Sequence, residues 1–168
     1  LFAQTGVADR VSAIVVVDND PAGTAAATVE ALLPQSPWSL TYVHAPRPGV
    51  ATARNAGLAA TEAPLIAFLD DDEAASPGWL AALLKARETT GADAVFGPIT
   101  GQAPDAAAWL KPWLERFFGR EGPTRTQVID HPFGCGNSLM VRATALPGPA
   151  PFDAGTDQAG GEDDALFA

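Results

Sequence analysis

Apolar and polar residues follow one another in blocks that predict short strands separated by helices. Apolar or β-branched runs predict strands at residues 11–17, 38–44, 65–69, 94–99 and 138–141. Helical patterns fall at residues 24–33, 50–60, 76–91 and 105–118. Because strands and helices alternate, the sequence predicts an α/β fold with a mainly parallel central sheet and helices on both faces.

The apolar run at residues 65–69 continues directly into four acids, Asp70, Asp71, Asp72 and Glu73. An unbroken apolar run suits a strand covered on both faces, and ligands of open α/β sheets bind just beyond the carboxyl ends of strands. Adjacent carboxylates repel one another, and a divalent cation such as Mg²⁺ or Mn²⁺ relieves that repulsion. The sequence therefore predicts a metal site here, and the alternative is a solvated acidic loop with a helix cap.

Length, charge and cysteine content limit the kinds of partner and compartment that suit this chain. The 168 residues are enough for one domain with a real core, and their formal net charge is −10. This acidic balance argues against nucleic acid or an anionic membrane surface as the main partner. The single cysteine, Cys135, fits a reducing compartment. We expect neither a transmembrane helix nor a signal peptide in the chain, because no apolar run has the required length and flanking charge.

Both ends of the chain have the composition of interrupted helices. Residues 1–6 are typical of a helix end with Gly6 after the cap, and residues 162–168 are typical of a helix that is beginning. Residues 119–133 lack periodicity and predict a mobile loop. Residues 147–161 are rich in proline and glycine, and a structureless loop of that length is usually functional or disordered.

Asp18 and Arg54 are candidate binding residues. Asp18 ends the first strand, level with Asp70, where its carboxylate could accept the imide N–H of a uracil or thymine ring. The alternative is that Asp18 only builds the turn at residues 18–21. Arg54 and Asn55 could face the ligand cleft, with Arg54 countering the charge of the acids. The alternative is a surface arginine on an alanine-rich helix.

A second acidic site follows two glycines at residues 160 and 161. Glycine lets the backbone approach a ligand closely, and Glu162 or Asp163 could then take a proton from an alcohol. The alternative is an acidic helix N-terminus favoured by the helix dipole. The lone histidines His44 and His131 are interpreted as structural residues and not as metal ligands. Trp109 and Trp113 are interpreted as core or cleft wall, and the alternative is a platform for a sugar.

In this order, the features resemble the inverting nucleotide-sugar glycosyltransferases of family two, which have an A-type Rossmann-like fold. The matching stretches are residues 14–19, 49–57, 66–72, 77–80, 136–142, 152–153 and 160–163. Each stretch alone is weak, but the ordered series is specific and covers nearly the whole chain. The family pattern also has an earlier nucleotide-contacting strand and later helices. The resemblance therefore implies one catalytic domain over residues 1–168, truncated at both ends.

The resemblance implies a role for each candidate residue. The triplet at residues 70–72 would be the family's Asp-x-Asp motif, with Asp70 near the ribose or the metal and Asp72 binding the metal that bridges the donor diphosphate. Asp163 would be the general base, and Glu162 would assist it or contact the acceptor. The other implied substrate-binding residues are Asp18 for the nucleotide base, Arg54, Asp71, and Gly136 and Asn137 beside the donor sugar and acceptor.

The implied function is inverting, metal-dependent transfer of a sugar from a UDP- or dTDP-linked donor to an acceptor hydroxyl, with Mn²⁺ or Mg²⁺ as cofactor. The expected setting is cell-wall or polysaccharide biosynthesis in the cytoplasm, or at the inner face of the membrane as a peripheral protein. Two alternatives stay open. One is a non-catalytic fragment that binds nucleotide-sugars, and the other is a phosphotransfer or nucleotidyltransferase enzyme on a related α/β fold.

Overall fold

The computed structural model describes residues 1–131 and 133–167. Pro132, inside the predicted 119–133 loop, and Ala168, at the end of the predicted last helix, lie outside the described residues. The strands are β1 (Ala13–Asp18), β2 (Ser39–His44), β3 (Leu65–Leu69), β4 (Ala94–Phe96) and β5 (Asn137–Val141). Every predicted strand overlaps one of these, and β3 matches its prediction residue for residue.

Helices separate most of the strands. They are α1 (Ala26–Leu32), α2 (Val50–Ala59), α3 (Trp79–Thr90), α4 (Lys111–Phe118), α5 (Arg142–Ala145) and α6 (Glu162–Phe167). Short 3-10 turns lie at Leu33–Gln35 and Ala154–Thr156. Among residues 1–131 and 133–167, none of the helices has the length and hydropathy of a bilayer-crossing segment.

Two predicted helix starts are wrong. Ser76 does not cap α3, because the Pro77 carbonyl accepts the Thr5 N–H at 2.7 Å and the helix begins only at Trp79. The predicted helix at residues 105–118 begins at Lys111, with Pro112 in its first turn. Proline lacks an N–H and is tolerated in a first turn, so Pro112 is compatible with this start of the helix.

The beginning of the chain also differs from its prediction. Residues 1–6 form turns, in which the Gln4 N–H donates to the Leu1 carbonyl at 3.0 Å. Gly6 has a φ of +72°, a left-handed conformation that serves a turn as well as a helix end. The prediction that residues 1–6 end a helix is therefore wrong, although Gly6 does have the left-handed conformation that such an end requires.

The strands form two hydrogen-bonded groups. β1 and β2 are parallel, in register from Ala13 opposite Ser39 to Asp18 opposite His44. β5 lies between β3 and β4 and runs antiparallel to both. The α/β class is confirmed, and the direction of β5 makes the strand pairing mixed. Antiparallel pairing brings the carboxyl end of β3 beside the start of β5.

The core lies on both faces of the three-stranded group. Leu139 and Met140 are neighbours on β5, so their side chains point to opposite faces. Leu139 packs with Leu83 of α3, whereas Met140 packs with Leu58 of α2. All four side chains are buried. Helices therefore cover both faces of this sheet, as the unbroken apolar run of β3 predicts.

The aromatic residues around α4 are not part of this core. Trp109 is 81% exposed and Trp113 is 60% exposed, so the prediction that they belong to the core is wrong, whereas the cleft-wall interpretation stays a prediction. The i,i+4 spacing does place aromatic rings on one side of the helix, since Trp113 stacks on Phe117 with ring centroids 5.3 Å apart. Spacing identifies a shared face but does not specify what that face contacts.

Candidate active site

The first acidic site is built by the pairing of β3 with β5. Leu69 is opposite Asn137, and one residue further out the Asp70 N–H donates to the Gly136 carbonyl at 3.0 Å. A Cβ atom at Gly136 would overlap the Asp70 carboxylate. Glycine at this position therefore lets that carboxylate lie directly against the neighbouring backbone.

The second acidic site is the first turn of α6. Glu162 and Asp163 begin this helix, where the positive end of the helix dipole favours carboxylates. The Cys135 N–H donates to Asp163 Oδ2 at 3.0 Å. Cys135 is fully buried, and burial together with the Asp163 carboxylate raises the pKa of its thiol. Cys135 is therefore a neutral core residue at physiological pH, because nucleophilic chemistry needs the thiolate.

Arg54 of α2 joins the two acidic sites. Its Nη1 atom donates to Asp163 Oδ1 at 2.6 Å and to Glu162 Oε1 at 2.9 Å, and its Nη2 atom lies 3.4 Å from Asp70 Oδ1. The structure thus brings Asp70 together with Glu162 and Asp163, which follow it by more than 90 residues along the chain. A planar guanidinium with several donors suits this bridging geometry.

The surroundings of Arg54 are those of an internal residue. Its side chain is 9% exposed, and its guanidinium carbon lies 5.5 Å from the centre of the Phe152 ring. Burial by itself disfavours the charge, but the carboxylates of Asp163 and Asp70 outweigh it, so the pKa of Arg54 is raised. The alternative of a surface arginine does not describe this side chain, although its contact with a substrate stays a prediction.

The acids after β3 have environments that change their protonation. The side chain of Asp70 is 47% exposed, and the burial of its remaining surface raises its pKa against the opposing effect of Arg54. Burial, followed by the charges of Asp70 and Asp72, raises the pKa of Glu73 to about 7. The carboxylates of Asp70, Asp72 and Glu73 thus repel one another, as inferred from the sequence, and protonation of Glu73 reduces this repulsion.

An open cavity of about 500 Å³ adjoins the second acidic site. Glu162, Asp163 and Asp164 line one side of it, and residues 119–121 with His131 and Phe133 line the other. A space of this size holds a small molecule. The carboxylate of Asp163 therefore combines a buried anchor, through Arg54, with access to a ligand-sized space.

Asp18 is 7% exposed, and its carboxylate accepts hydrogen bonds from its own turn and from two residues outside it. It accepts the Asp20 N–H at 3.0 Å, the Ala25 N–H at 2.9 Å and the Tyr42 hydroxyl at 2.8 Å. The Ala25 N–H contributes most to lowering the pKa of Asp18. These contacts fit the turn-building alternative. They leave one lone pair on Oδ1 for a further donor, so recognition of a base stays a prediction.

Asn137 occupies a position in the core. It is 8% exposed, its Oδ1 accepts the Trp79 indole N–H at 2.7 Å and its Nδ2 donates to the Pro98 carbonyl at 3.1 Å. The Asn137 side chain thus links α3 to the segment after β4. In contrast, Asp71 and Asp72 are exposed at the end of β3. The structure therefore gives Asn137 a packing role and leaves these acids accessible to solutes.

The loop at residues 147–161 is more ordered than its composition predicts. Asn55 donates to the Phe152 carbonyl at 2.7 Å and accepts the Phe152 N–H at 3.1 Å. Thr52 donates to Asp157 through its hydroxyl at 2.5 Å and its N–H at 3.2 Å. The expectation that Asn55 faces the cleft is wrong, because its amide is used to hold this loop against α2.

Asp157 is a site-building residue that sequence reasoning missed, and Phe152 was identified only as part of a family-like stretch, without its contact to Arg54. Asp157 sits where a Cβ atom at Gly49 would be, so Gly49, with a φ of +141°, admits it to the start of α2. Phe152 is 1% exposed and packs beneath Arg54 and against Phe68. The available signals were a large apolar residue and an acid inside a loop rich in small residues.

The donor set of the first acidic site fits a hard divalent cation. Among the residues that the structure describes, no three histidine, cysteine or acidic side chains form a preassembled metal cluster. Mg²⁺ and Mn²⁺ commonly take one or two carboxylates and complete their coordination with water and substrate phosphates. The exposed Asp72 and the half-exposed Asp70 match that pattern better than that of a fully protein-enclosed site.

Comparison with known proteins identifies the class. The model of the family described as Glycosyl transferase family 2 matches residues 3–146. The chain therefore belongs to glycosyl transferase family 2, which confirms the resemblance inferred from the ordered motifs. The match includes the first acidic site, Arg54 and Asp18, whereas Glu162 and Asp163 lie beyond it.

Among individual proteins, the chain is similar to the succinoglycan biosynthesis protein ExoM of Rhizobium meliloti (strain 1021), with 42% identity over 99 residues. The aligned region covers 58% of this chain and 32% of that protein, so the chain spans about a third of its relative's length. No solved structure matches the chain at a significant level.

Proposed function

We propose that this chain carries the catalytic centre of an enzyme that transfers a sugar from a nucleoside-diphosphate donor to an acceptor hydroxyl, with inversion at the anomeric carbon. Membership of glycosyl transferase family 2 supports sugar transfer. The observation that carries the proposal is the bridge from Arg54 to Asp70, Glu162 and Asp163. It supports the proposal because it sets Asp70, one of the two proposed metal-holding acids, and Asp163, the proposed base, around one buried cation.

The proposed chemistry assigns the proton to Asp163. In one displacement, the acceptor oxygen forms a bond to the anomeric carbon as the bond from that carbon to the diphosphate oxygen breaks. The hydroxyl proton passes to the Asp163 carboxylate, and the nucleoside diphosphate leaves with the bonding electrons. Arg54 holds Asp163 in place, and Glu162 assists from the same turn. Inversion follows because attack and departure occur on opposite faces.

Asp72 and Asp70 are the proposed holders of Mn²⁺ or Mg²⁺, and the ion would offset the negative charge of the departing diphosphate. Their accessible carboxylates support this assignment. Asp71 and Gly136 border the same strand ends and are proposed to contact the donor. The proposed base of the donor is uracil or thymine, held by the remaining lone pair of Asp18. An acceptor on a growing polysaccharide would agree with the succinoglycan biosynthesis named for ExoM.

Replacement of Asp163 by Asn tests the base. Asn keeps the size of the side chain but cannot accept the proton, so the rate of nucleoside-diphosphate release from a panel of UDP- and dTDP-sugars should fall by about 10²–10⁴-fold. Calorimetric affinity for the donor should change little. A product NMR spectrum reports the anomeric configuration and therefore the inversion.

Asp9→Asn is the matched control, since Asp9 is an exposed acid remote from both acidic sites. It removes the same charge and should keep the wild-type rate. Loss of donor affinity in Asp163→Asn would contradict a purely acid–base role. Donor binding without turnover in the wild-type chain would instead identify a binding fragment, and release of inorganic phosphate would identify a phosphotransfer enzyme.

A further inference from the structure

Four aromatic side chains around α4 form an exposed surface that the proposed chemistry does not use. This aromatic face consists of Trp109, Trp113, Phe117 and Phe118. The side chains are 81%, 60%, 61% and 52% exposed, respectively. The rings of Trp113, Phe117 and Phe118 contact one another in succession, and Trp109 lies just before the helix. An exposed apolar patch of this kind usually marks an interaction site.

The aromatic face is held in its outward orientation by the packing of α4. A Cβ atom at Gly101 would overlap the Glu115 carbonyl, so the helix backbone lies directly against residue 101. After the helix, Arg120 and Ile99 exchange two backbone hydrogen bonds of 2.8 and 3.0 Å. Trp113 and Phe117 stack on each other with an interplanar angle of 13°. These contacts fix one side of α4 to the protein and present the rings on the other.

The segment that contains α4 has a net charge of the opposite sign to that of the whole chain. Residues 109–125 contain four basic and two acidic side chains, whereas the chain as a whole carries a net charge of −10. One of the two acids, Glu115, is 3.7 Å from Lys111. Charges separated by more than about 8 Å are largely screened at physiological ionic strength, so a docking surface experiences this local positive charge more than the net negative charge.

We propose that the aromatic face of α4 docks on the surface of an anionic lipid bilayer. Aromatic rings on one side of a helix, with lysine and arginine beside them, match the pattern of helices that lie in the membrane interface. Lys111 and Arg116, both within α4, are the cations that would meet acidic headgroups. The net negative charge of the whole chain therefore does not prevent this face from meeting an anionic membrane.

Because α4 ends beside the cavity, docking of the aromatic face would bring the cavity close to the bilayer. The helix ends at Phe118, and the next residues, Gly119 and Arg120, line the cavity opposite Glu162 and Asp163. A bilayer contacting the aromatic face would lie beside the cavity mouth. An acceptor anchored in lipid could then present its hydroxyl to the cavity without leaving the membrane. Docking itself does not depend on the sugar-transfer proposal.

Vesicle flotation tests the docking in the absence of donor and acceptor. The chain is mixed with vesicles of phosphatidylethanolamine and phosphatidylglycerol at about three to one, or with phosphatidylcholine vesicles alone. We expect at least about tenfold stronger partition onto the anionic vesicles, with a blue shift of tryptophan fluorescence. The double variant Trp113→Ser, Phe117→Ser should lose most of this binding, and Lys111→Gln, Arg116→Gln should lose the preference for anionic lipid.

Leu33→Ser is the matched control, because Leu33 is a 49% exposed apolar residue on a different segment. It should bind vesicles like the wild type, and circular dichroism checks that every variant is folded. The proposal is overturned if the wild type does not float with anionic vesicles, or if the aromatic double variant floats equally well. A concentration-dependent dimer that the same double variant abolishes, without vesicle binding, would assign the face to a second copy of the chain and also overturn it.

Discussion

Arg54 is a buried cation that contacts carboxylates from two distant parts of the chain. Each partner alone is an acid close to other acids, and burial of an unpaired charge is costly. The guanidinium compensates both sites at once, so the geometry of the proposed base depends on a residue that is itself held by Phe152. At the residue scale, the site is thus a three-way ion pair within a packed environment.

Replacement of Arg54 by Ala should lower the free energy of unfolding by about 3 kcal/mol, because it leaves the Glu162 and Asp163 carboxylates without their buried counter-charge. Arg54→Lys should retain part of the stability but lose the bridge, since an ammonium lacks the planar fork. Urea unfolding measures both. The control is Arg10→Ala, which breaks an exposed pair with Glu88 and should cost less than about 1 kcal/mol. Equal losses at positions 54 and 10 would refute the structural role of Arg54.

Gly136→Ala should displace the Asp70 carboxylate, because the added methyl group would occupy its place. We expect a stability loss of about 1–3 kcal/mol from overpacking, together with weaker Mn²⁺ affinity. Calorimetric Mn²⁺ titration and urea unfolding test the two effects. Gly78→Ala is the matched control, since a Cβ atom there meets open space. Unchanged Mn²⁺ affinity in Gly136→Ala would separate Asp70 from the metal site.

At the scale of elements, α2 organises the site by holding segments that follow it by about 100 residues. Thr52 binds Asp157, Arg54 binds Glu162 and Asp163, and Asn55 binds the backbone of Phe152. All of these contacts come from the first two turns of one helix. Because a helix is rigid, the loop at residues 147–161 and α6 are positioned relative to the strand ends.

Asp157 gives this anchoring a pH dependence. The Thr52 hydroxyl, the largest favourable contribution, lowers the pKa of Asp157 below its usual 3.8. The anchor therefore stabilises the fold above that value, and the stabilisation is lost as the pH falls through the lower, folded-state pKa. Asp157→Asn should lower the urea midpoint near neutral pH and should show a smaller further decrease on acidification than the wild type.

Urea titrations at several pH values between about 7 and 2.5 check this sign. Asp9→Asn serves as the control, because that exposed acid should leave the pH profile almost unchanged. Thr52→Val should reproduce the effect of Asp157→Asn, and the two changes together should add little. An Asp157→Asn profile parallel to that of the wild type would show that the anchor does not titrate.

At the scale of the whole molecule, acidic charge is concentrated where the proposed donor binds, and basic charge is concentrated near α4. The negative charge of the first acidic site is partly offset by the buried Arg54. Protonation of Glu73, whose pKa is about 7, reduces that charge further. The accessible Asp72 remains available to a cation from solution. Binding of such a cation to the folded chain must increase its stability by mass action.

Mn²⁺ should therefore raise the melting temperature. At about 100 times the dissociation constant, binding contributes about 2.7 kcal/mol, which corresponds to a shift of about 5–10 °C for a domain of this size. Differential scanning fluorimetry with and without EDTA measures it. Asp72→Ala should abolish the shift, whereas Asp9→Ala, an equal loss of charge at an exposed remote site, should retain it. A full shift in Asp72→Ala would place the ion elsewhere.

Most of the local elements and the protein family could be predicted from the residue pattern alone. Apolar or β-branched runs located all five strands, because such residues fit the pleated, partly buried surface of a sheet. The acids at the strand end and the ordered motifs gave the family, because this chemistry requires particular residue types at particular spacings. Helix starts were less certain, as Ser76 shows, since a distant contact can decide where a helix begins.

Only the tertiary structure decided which distant residues meet. Nothing local to Arg54 shows that it pairs with Asp163, nothing local to Asn55 shows that its amide holds Phe152, and the exposure of Trp113 does not follow from its spacing. Hydrophobic periodicity reports which side of an element is apolar, but the partner of each polar group depends on the path of the whole chain. That path exists only after long-range packing has brought the elements together.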